Sequence, residues 1–186
     1  MGSIRIVGGG LRGRRIQVPD RGVRPTSDRT REAVFDVLGP RAVSDTRVLD
    51  LYAGTGALGI EALSRGAREA HFVEGSRPVA RALRENLARL GLQERATVHE
   101  ADLSGIELPP EAPGPFDLVF LDPPYAGDAG LLWLACLARL AWPAEGGLVV
   151  YERRKGTEAP LPAGFAVATE RTYSDTTVTF YRARTA

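Results

Sequence analysis

The stretch Leu49-Asp50-Leu51-Tyr52-Ala53-Gly54-Thr55-Gly56-Ala57-Leu58-Gly59 decides the fold. Its opening residues close a short apolar strand, Arg47–Leu51. Its glycines fit G-x-G-x-x-G, a tight turn that passes the chain from a strand into a helix, here over 57–65. Outward from this turn, strand and helix patterns alternate. Ala70–Glu74 reads as the next strand. Residues 77–90 read as an amphipathic helix with Val79, Leu83, Leu87 and Leu90 on one face. Ala96–His99, Phe116–Leu121 and Gly147–Tyr151 read as further strands, with an apolar helix at 131–140. Phe116–Leu121 is apolar apart from Asp117, as expected of a strand covered on both faces. Val167–Tyr173 and Thr177–Tyr181 form a closing antiparallel hairpin. The alternation predicts an α/β fold: a doubly wound, mostly parallel, seven-stranded sheet.

Upstream, Ile4–Val7 and Arg14–Val18 alternate apolar and polar around Gly8, Gly9, Gly10 and Gly13. This predicts an N-terminal β-hairpin extension with a flexible basic tip. A link from Pro19 to Pro25 follows, then a helix over 28–38 with Thr26, Ser27 and Asp28 as capping residues and Gly39-Pro40 as its stop. The expected organisation is a hairpin and linker at 1–25 and the α/β domain at 26–186.

With 186 residues, 44% hydrophobic and 25% charged, the chain has room for one globular domain. Its 24 basic and 23 acidic residues give a net charge of +1. That near-zero total hides an asymmetry. Nine arginines stand against four acids in residues 1–41, so this segment is basic and the remainder is acidic. A basic front end on an acidic body suggests an anionic partner. Cys136 lies in an apolar run and reads as a small core residue. Scattered His and Cys make no zinc pattern, so no metal is expected. No apolar run is long enough to span a bilayer. The start lacks a signal-peptide core, and Ile6 stands where myristoylation needs Ser or Thr, so the cytoplasm is the expected location.

Glu74 lies twenty residues after Gly54, at the end of the next strand, and completes the dinucleotide fingerprint. The motif alone leaves the ligand open, and a turn with no ligand has the same pattern. Asp50 favours a cationic ligand. A pyrophosphate at this turn would meet its carboxylate, whereas S-adenosylmethionine has no phosphate and carries a sulfonium and an α-ammonium group. Asp50 can attract that cationic end, while glycine amides approach the ligand closely. Glu74 can accept from ribose hydroxyls. Asp102 can accept from an adenine amino group or serve a local turn.

Asp122-Pro123-Pro124-Tyr125 follows the buried strand. Two prolines fix φ and remove N–H donors, leaving a rigid loop of acceptors. Asp122 and the Pro123 carbonyl can both accept from a planar amino group, and Tyr125 can stack on the attached base. An exocyclic amino nitrogen is a poor nucleophile, since its lone pair is delocalised into the ring. Paired acceptors orient it and stabilise the positive charge that develops during attack.

Together these residues resemble a Rossmann-like class I methyltransferase. Ile4-Arg-Ile-Val-Gly-Gly, Arg12-Gly-Arg, Arg24-Pro-Thr-Ser-Asp-Arg-Thr-Arg-Glu32, Leu49–Leu63, Phe120–Tyr125 and the Tyr173–Tyr181 hairpin resemble, in order, the RsmD family. The resemblance implies methylation of the N2 amino group of one guanine in 16S rRNA, within the small ribosomal subunit. It implies S-adenosylmethionine as cofactor, held by Asp50, Gly54, Gly56, Glu74 and Asp102, with Tyr52, Thr55 and Leu103 beside them. It implies base positioning by Asp122, Pro123, Pro124 and Tyr125. Ser76 departs from the family, which often has an acid there. It also gives the basic front end a role, with Arg12, Arg14 and Arg15 gripping phosphates while Arg24 and Arg29 contact RNA, cofactor or helix end. A monomer is expected. Three other readings stay open: a DNA adenine-N6 methyltransferase, a nicotinamide-dependent oxidoreductase and a non-catalytic RNA-binding assembly factor.

Overall fold

The computed structural model describes residues 2–19, 28–105, 114–124 and 129–184. In chain order the elements are β1 (Gly2–Arg5), β2 (Arg15–Val18), α1 (Asp28–Leu38), β3 (Arg47–Leu51), α2 (Ala57–Ser64), β4 (Glu69–Glu74), α3 (Arg77–Leu90), β5 (Ala96–Glu100), β6 (Phe116–Leu121), α4 (Ala129–Arg139), β7 (Pro143–Arg154), β8 (Phe165–Tyr173) and β9 (Thr176–Ala183). Seven strands form one sheet in the order β5-β4-β3-β6-β7-β9-β8. β5, β4, β3, β6 and β7 pair in parallel, and β9 runs antiparallel between β7 and β8. The order reverses between β3 and β6. In open α/β sheets such a switch point, at the carboxyl ends of the strands, is where ligands bind.

Both faces of the sheet are buried. Val48, Phe72, Leu118 and Phe120 belong to one core, which also takes in α2, α3 and the N-terminal hairpin. Leu49, Leu51, Val119 and Leu121 belong to the other, under Trp133, Leu134, Cys136 and Leu137 of α4. Strands that alternate between two apolar layers have no polar face, which accounts for the continuous apolar reading of Phe116–Leu121.

β7 is longer than the expected Gly147–Tyr151. Its start pairs Pro143 with Phe116, and the register then shifts before Leu118 meets Leu148. A Cβ on Gly147 would lie 2.8 Å from the Ala144 carbonyl oxygen and 3.1 Å from that of Phe116. The irregularity therefore places Gly147 where a side chain would meet two carbonyls. The far end, Glu152–Arg154, pairs with β9 alone.

The hairpin differs more. Ile4, Ile6, Ile16 and Val18 are buried in the same core as α2 and α3. Its glycine-rich connection is pinned rather than flexible. The Val7 and Gly8 amides donate to the two Glu61 carboxylate oxygens at 3.0 and 2.7 Å. The Gly10 amide donates to the Ser64 carbonyl at 2.7 Å, and the Leu11 amide to Ser64 Oγ at 3.0 Å. At Gly9, with φ of 72°, a Cβ would sit 1.9 Å from the Ser64 carbonyl oxygen. These glycines serve close approach to the end of α2. The Thr26 and Ser27 capping expectation, and the boundary at residue 25, lie outside the described residues. Asp28 instead pairs with the buried Arg31 at 2.9 Å.

Candidate functional site

One rung of the sheet, His99–Val73–Leu51–Leu121–Tyr151, levels five strands. Beyond it the chain leaves the sheet into Tyr52–Gly56, Glu74–Ser76, Ala101–Gly105 and Asp122–Pro124. Tyr52, Gly54, Thr55, Gly56, Glu74, Asp102, Leu103, Asp122, Pro123 and Pro124 are thus gathered on one edge by register alone.

Glu74 clasps two loops. Its Oε2 accepts from the Gly54 amide at 2.9 Å and its Oε1 from the Ser76 amide at 2.7 Å. Each carboxylate oxygen has a second lone pair available for a ligand hydroxyl. Asp50 lies beneath the turn, almost fully buried, and its Oδ2 accepts from the Gly59 amide at 2.9 Å. Burial pushes its carboxyl from 3.8 up to about 8, the Gly59 bond opposes this, and the charge on Glu74 adds to it. Asp50 is first a brace that fixes the start of α2, and the ligand would sense it through the turn.

The glycines divide their roles. Gly56 has φ of 77°, and a Cβ there would lie 2.4 Å from Leu83 Cδ1. A Cβ on Gly59 would lie 2.3 Å from Phe72 Cε1. Both are needed for packing α2 onto the sheet. Gly54, with φ of 54°, takes the bend itself. Thr55 is buried within the turn.

Tyr52 is a non-glycine residue with φ of 59°. That conformation costs on the order of 1 kcal/mol and persists where the surroundings enforce it. Here the Tyr52 hydroxyl and Trp133 Nε1 both donate to the Leu103 carbonyl, at 3.2 and 2.9 Å. The end of β3 is thereby tied to the turn after β5, and Leu103 is buried under it. Burial raises the Tyr52 hydroxyl above its ordinary value. Asp102 is exposed, and its Oδ1 accepts from the Ser104 amide at 2.9 Å. That bond holds its carboxyl below the usual range, so it is ionised at neutral pH. Asp122 is half-buried at the tip of β6, Pro123 is buried and Pro124 exposed. Tyr125 and Arg24 lie outside the described residues.

Of the expected phosphate contacts, Arg12, Arg14, Arg15 and Arg29 are all exposed. Arg14 donates to the carbonyls of Arg89 and Leu90, at 2.5 and 3.2 Å, closing the end of α3. Arg15 donates to Ser3 Oγ across the hairpin at 2.8 Å. Two residues that sequence reasoning passed over carry much of the framework. Glu61, fully buried, holds the hairpin amides together with Arg65 at 2.8 Å and Arg31 at 3.7 Å. Its signal was a lone acid inside the apolar run Ala57–Leu63, with an arginine four residues on. Asn86, also buried, exchanges two hydrogen bonds of 2.9 Å with the Gln17 backbone.

The turn amides decide the chemistry of the crevice. In a dinucleotide fold they face a pyrophosphate. Here the Gly54 amide is taken by Glu74, the Gly59 amide by Asp50, and the Gly56 amide by the Ala53 carbonyl. Carboxylates stand where an anion would need donors. The site suits a ligand with hydroxyls and a positive charge.

Residues 4–182 match the family described as conserved hypothetical protein 95. The ribosomal RNA small subunit methyltransferase D of Escherichia coli K12 is 38% identical over 174 residues, covering 91% of this chain and 85% of that protein. Its Haemophilus influenzae namesake is 33% identical, covering 92% and 89%. The solved structure of Escherichia coli yhhF superposes with a TM-score of 0.86 at 35% identity, covering 98% and 99%. By sequence over nearly its whole length, and by fold, this chain belongs to the conserved hypothetical protein 95 family, the RsmD family that its motifs resemble.

Proposed function

We propose that this protein transfers a methyl group from S-adenosylmethionine to the exocyclic N2 of a guanine in 16S rRNA, within the small ribosomal subunit, acting as a monomer in the cytoplasm. The occupation of the Gly54 and Gly59 amides by Glu74 and Asp50 carries this reading, because it takes up two donors that an anionic cofactor would use. The names of the two relatives point to the same class of substrate.

The residues present fit the cofactor. Glu74 would hold its ribose hydroxyls and Asp102 its adenine amino group, beside Tyr52, Thr55 and Leu103. Asp50, buried under the turn with Glu74 close by, would favour the cationic end. S-adenosylmethionine supplies an electrophilic methyl on sulfur. The chain supplies orientation. Asp122 and the Pro123 carbonyl would accept from the guanine amino group, fix its lone pair toward the methyl and stabilise the charge growing on nitrogen. Pro124 keeps the loop rigid, and Tyr125 would stack on a base splayed out of its strand.

Calorimetry with S-adenosylmethionine and with NAD tests the cofactor half. Binding of the former alone is expected, and tight NAD binding would overturn it. Labelled cofactor offered with small subunits, naked rRNA and DNA tests the substrate half. Label in rRNA is expected. Label entering DNA adenine alone would make this a DNA methyltransferase.

A further inference from the structure

Helix α3 carries Arg77, Arg81, Arg84 and Arg89 against a single acid, Glu85. Its apolar stripe faces the sheet, and its outer flank faces β2. Between them runs a groove of about 490 Å³. Arg77, Arg81 and Arg89 line it together with one acid, Glu85, which is paired to Arg81, and with apolar surface from Val18, Pro19 and Ala82. The walls are fixed. Asn86 and Gln17 exchange their two hydrogen bonds across the groove, and Arg14 bonds to the Arg89 and Leu90 carbonyls at its far end.

The Arg77 end of the groove adjoins the candidate site along the chain. Arg77 follows Ser76, whose amide is held by Glu74. From Arg77 to Arg89 the helix advances ~18 Å, the length of about five phosphates at ~3.4 Å each along a stacked strand. The Arg77 and Arg81 side chains are 90% and 83% exposed. Their carboxylate neighbours, Glu100 at 4.0 Å and Glu85 at 3.0 Å, form weak surface pairs, which a phosphate can displace or join. Each guanidinium has five donors.

We propose that this groove carries the sugar–phosphate backbone of the RNA strand that leads to the target nucleotide, with Arg77, Arg81 and Arg89 binding its phosphates. The inference rests on the rRNA methyltransferase reading and extends it from the base pocket to the path of the strand. A row of guanidiniums over a fixed, partly apolar channel suits a regularly charged polymer, and it reads no sequence.

The test compares wild type with Arg77→Ala/Arg81→Ala, measuring binding of naked 16S rRNA and of small subunits from 50 to 200 mM salt, and methyl transfer to each. Each lost phosphate contact should flatten the plot of log K against log salt by about 0.7 for a single strand, so by about 1.4 for the pair. KM for RNA should rise at an unchanged kcat, and cofactor affinity should not move, which also verifies folding. Arg77→Lys/Arg81→Lys should keep most of the slope. An unchanged slope and KM in the alanine variant, with an active wild type, would sink the groove assignment alone. So would a defect on assembled subunits but not on naked rRNA, which would make the occupant a protein. A wild type that transfers no methyl to rRNA, naked or within small subunits, would take down the function and the groove together.

Discussion

Asp50→Asn separates the two roles of the buried carboxyl through its pH dependence. In the folded chain burial raises Asp50 from 3.8 to about 8. The folded state therefore keeps its proton between pH 4 and 8, while the unfolded state releases it. The unfolded state binds fewer protons in this window, so stability falls as pH rises through it and levels off above 8. The slope from this group exceeds ~1 kcal/mol per pH unit, and its integral is on the order of 5 kcal/mol. Asparagine keeps an oxygen for the Gly59 amide and removes the titration. Its amino group also needs an acceptor, a cost of about 1–3 kcal/mol that does not vary with pH. The expected result is a variant no more stable than wild type near pH 4.5 and increasingly more stable toward pH 8. Urea denaturation at fixed ionic strength, across pH 4.5–8.5, gives that difference directly. A wild-type-minus-variant difference constant with pH would refute the buried, protonated Asp50. The same argument predicts that a cationic cofactor draws Asp50 into its ionised form. Cofactor binding should then tighten as pH rises toward 8 and release protons, and Asp50→Asn should lose both effects.

Glu61→Ala should destabilise by about 3–5 kcal/mol, because it deprives the Val7 and Gly8 amides of their acceptor and buried Arg31 of a neighbouring carboxylate; a loss under 1 kcal/mol in urea would show the hairpin is held otherwise. Gly59→Ala should cost about 1–3 kcal/mol through overpacking against Phe72, read as a lower Tm, and an unaffected Tm would contradict the close packing of α2. Asp122→Ala should abolish turnover while leaving cofactor and RNA affinity intact, and surviving turnover would remove Asp122 from the reaction.

The sheet was legible because parallel strands buried on both faces leave continuous apolar runs, and because the glycine turn fixes where one of them ends. The placement of Glu74, Asp50 and Asp122 on one edge followed from counting residues past those runs. What those groups touch was not legible. Whether Asp50 faces a ligand or the Gly59 amide depends on how far α2 drops toward the sheet, which is set by Phe72 and Leu83 filling the space of absent Cβ atoms. The hairpin misled for a related reason. Four glycines near a basic tip read as flexibility, yet the missing side chain of Gly9 lets the chain touch Ser64, a partner more than fifty residues away. Arg14 could not be told from a phosphate ligand by sequence, since the carbonyls it closes become available only when α3 ends beside it. Deleting the hairpin is consequently no clean test of RNA binding, as it would strip Ile4, Ile6, Ile16 and Val18 from the core.

The central claim is methyl transfer to a guanine amino group, and nucleoside mass spectrometry tests it most directly. Small subunits from cells lacking this protein are incubated with it and methyl-labelled S-adenosylmethionine, and the 16S rRNA is digested. Label confined to N2-methylguanosine, at a single site, is the predicted result. Label in any other nucleoside, or none in the rRNA, would contradict the account.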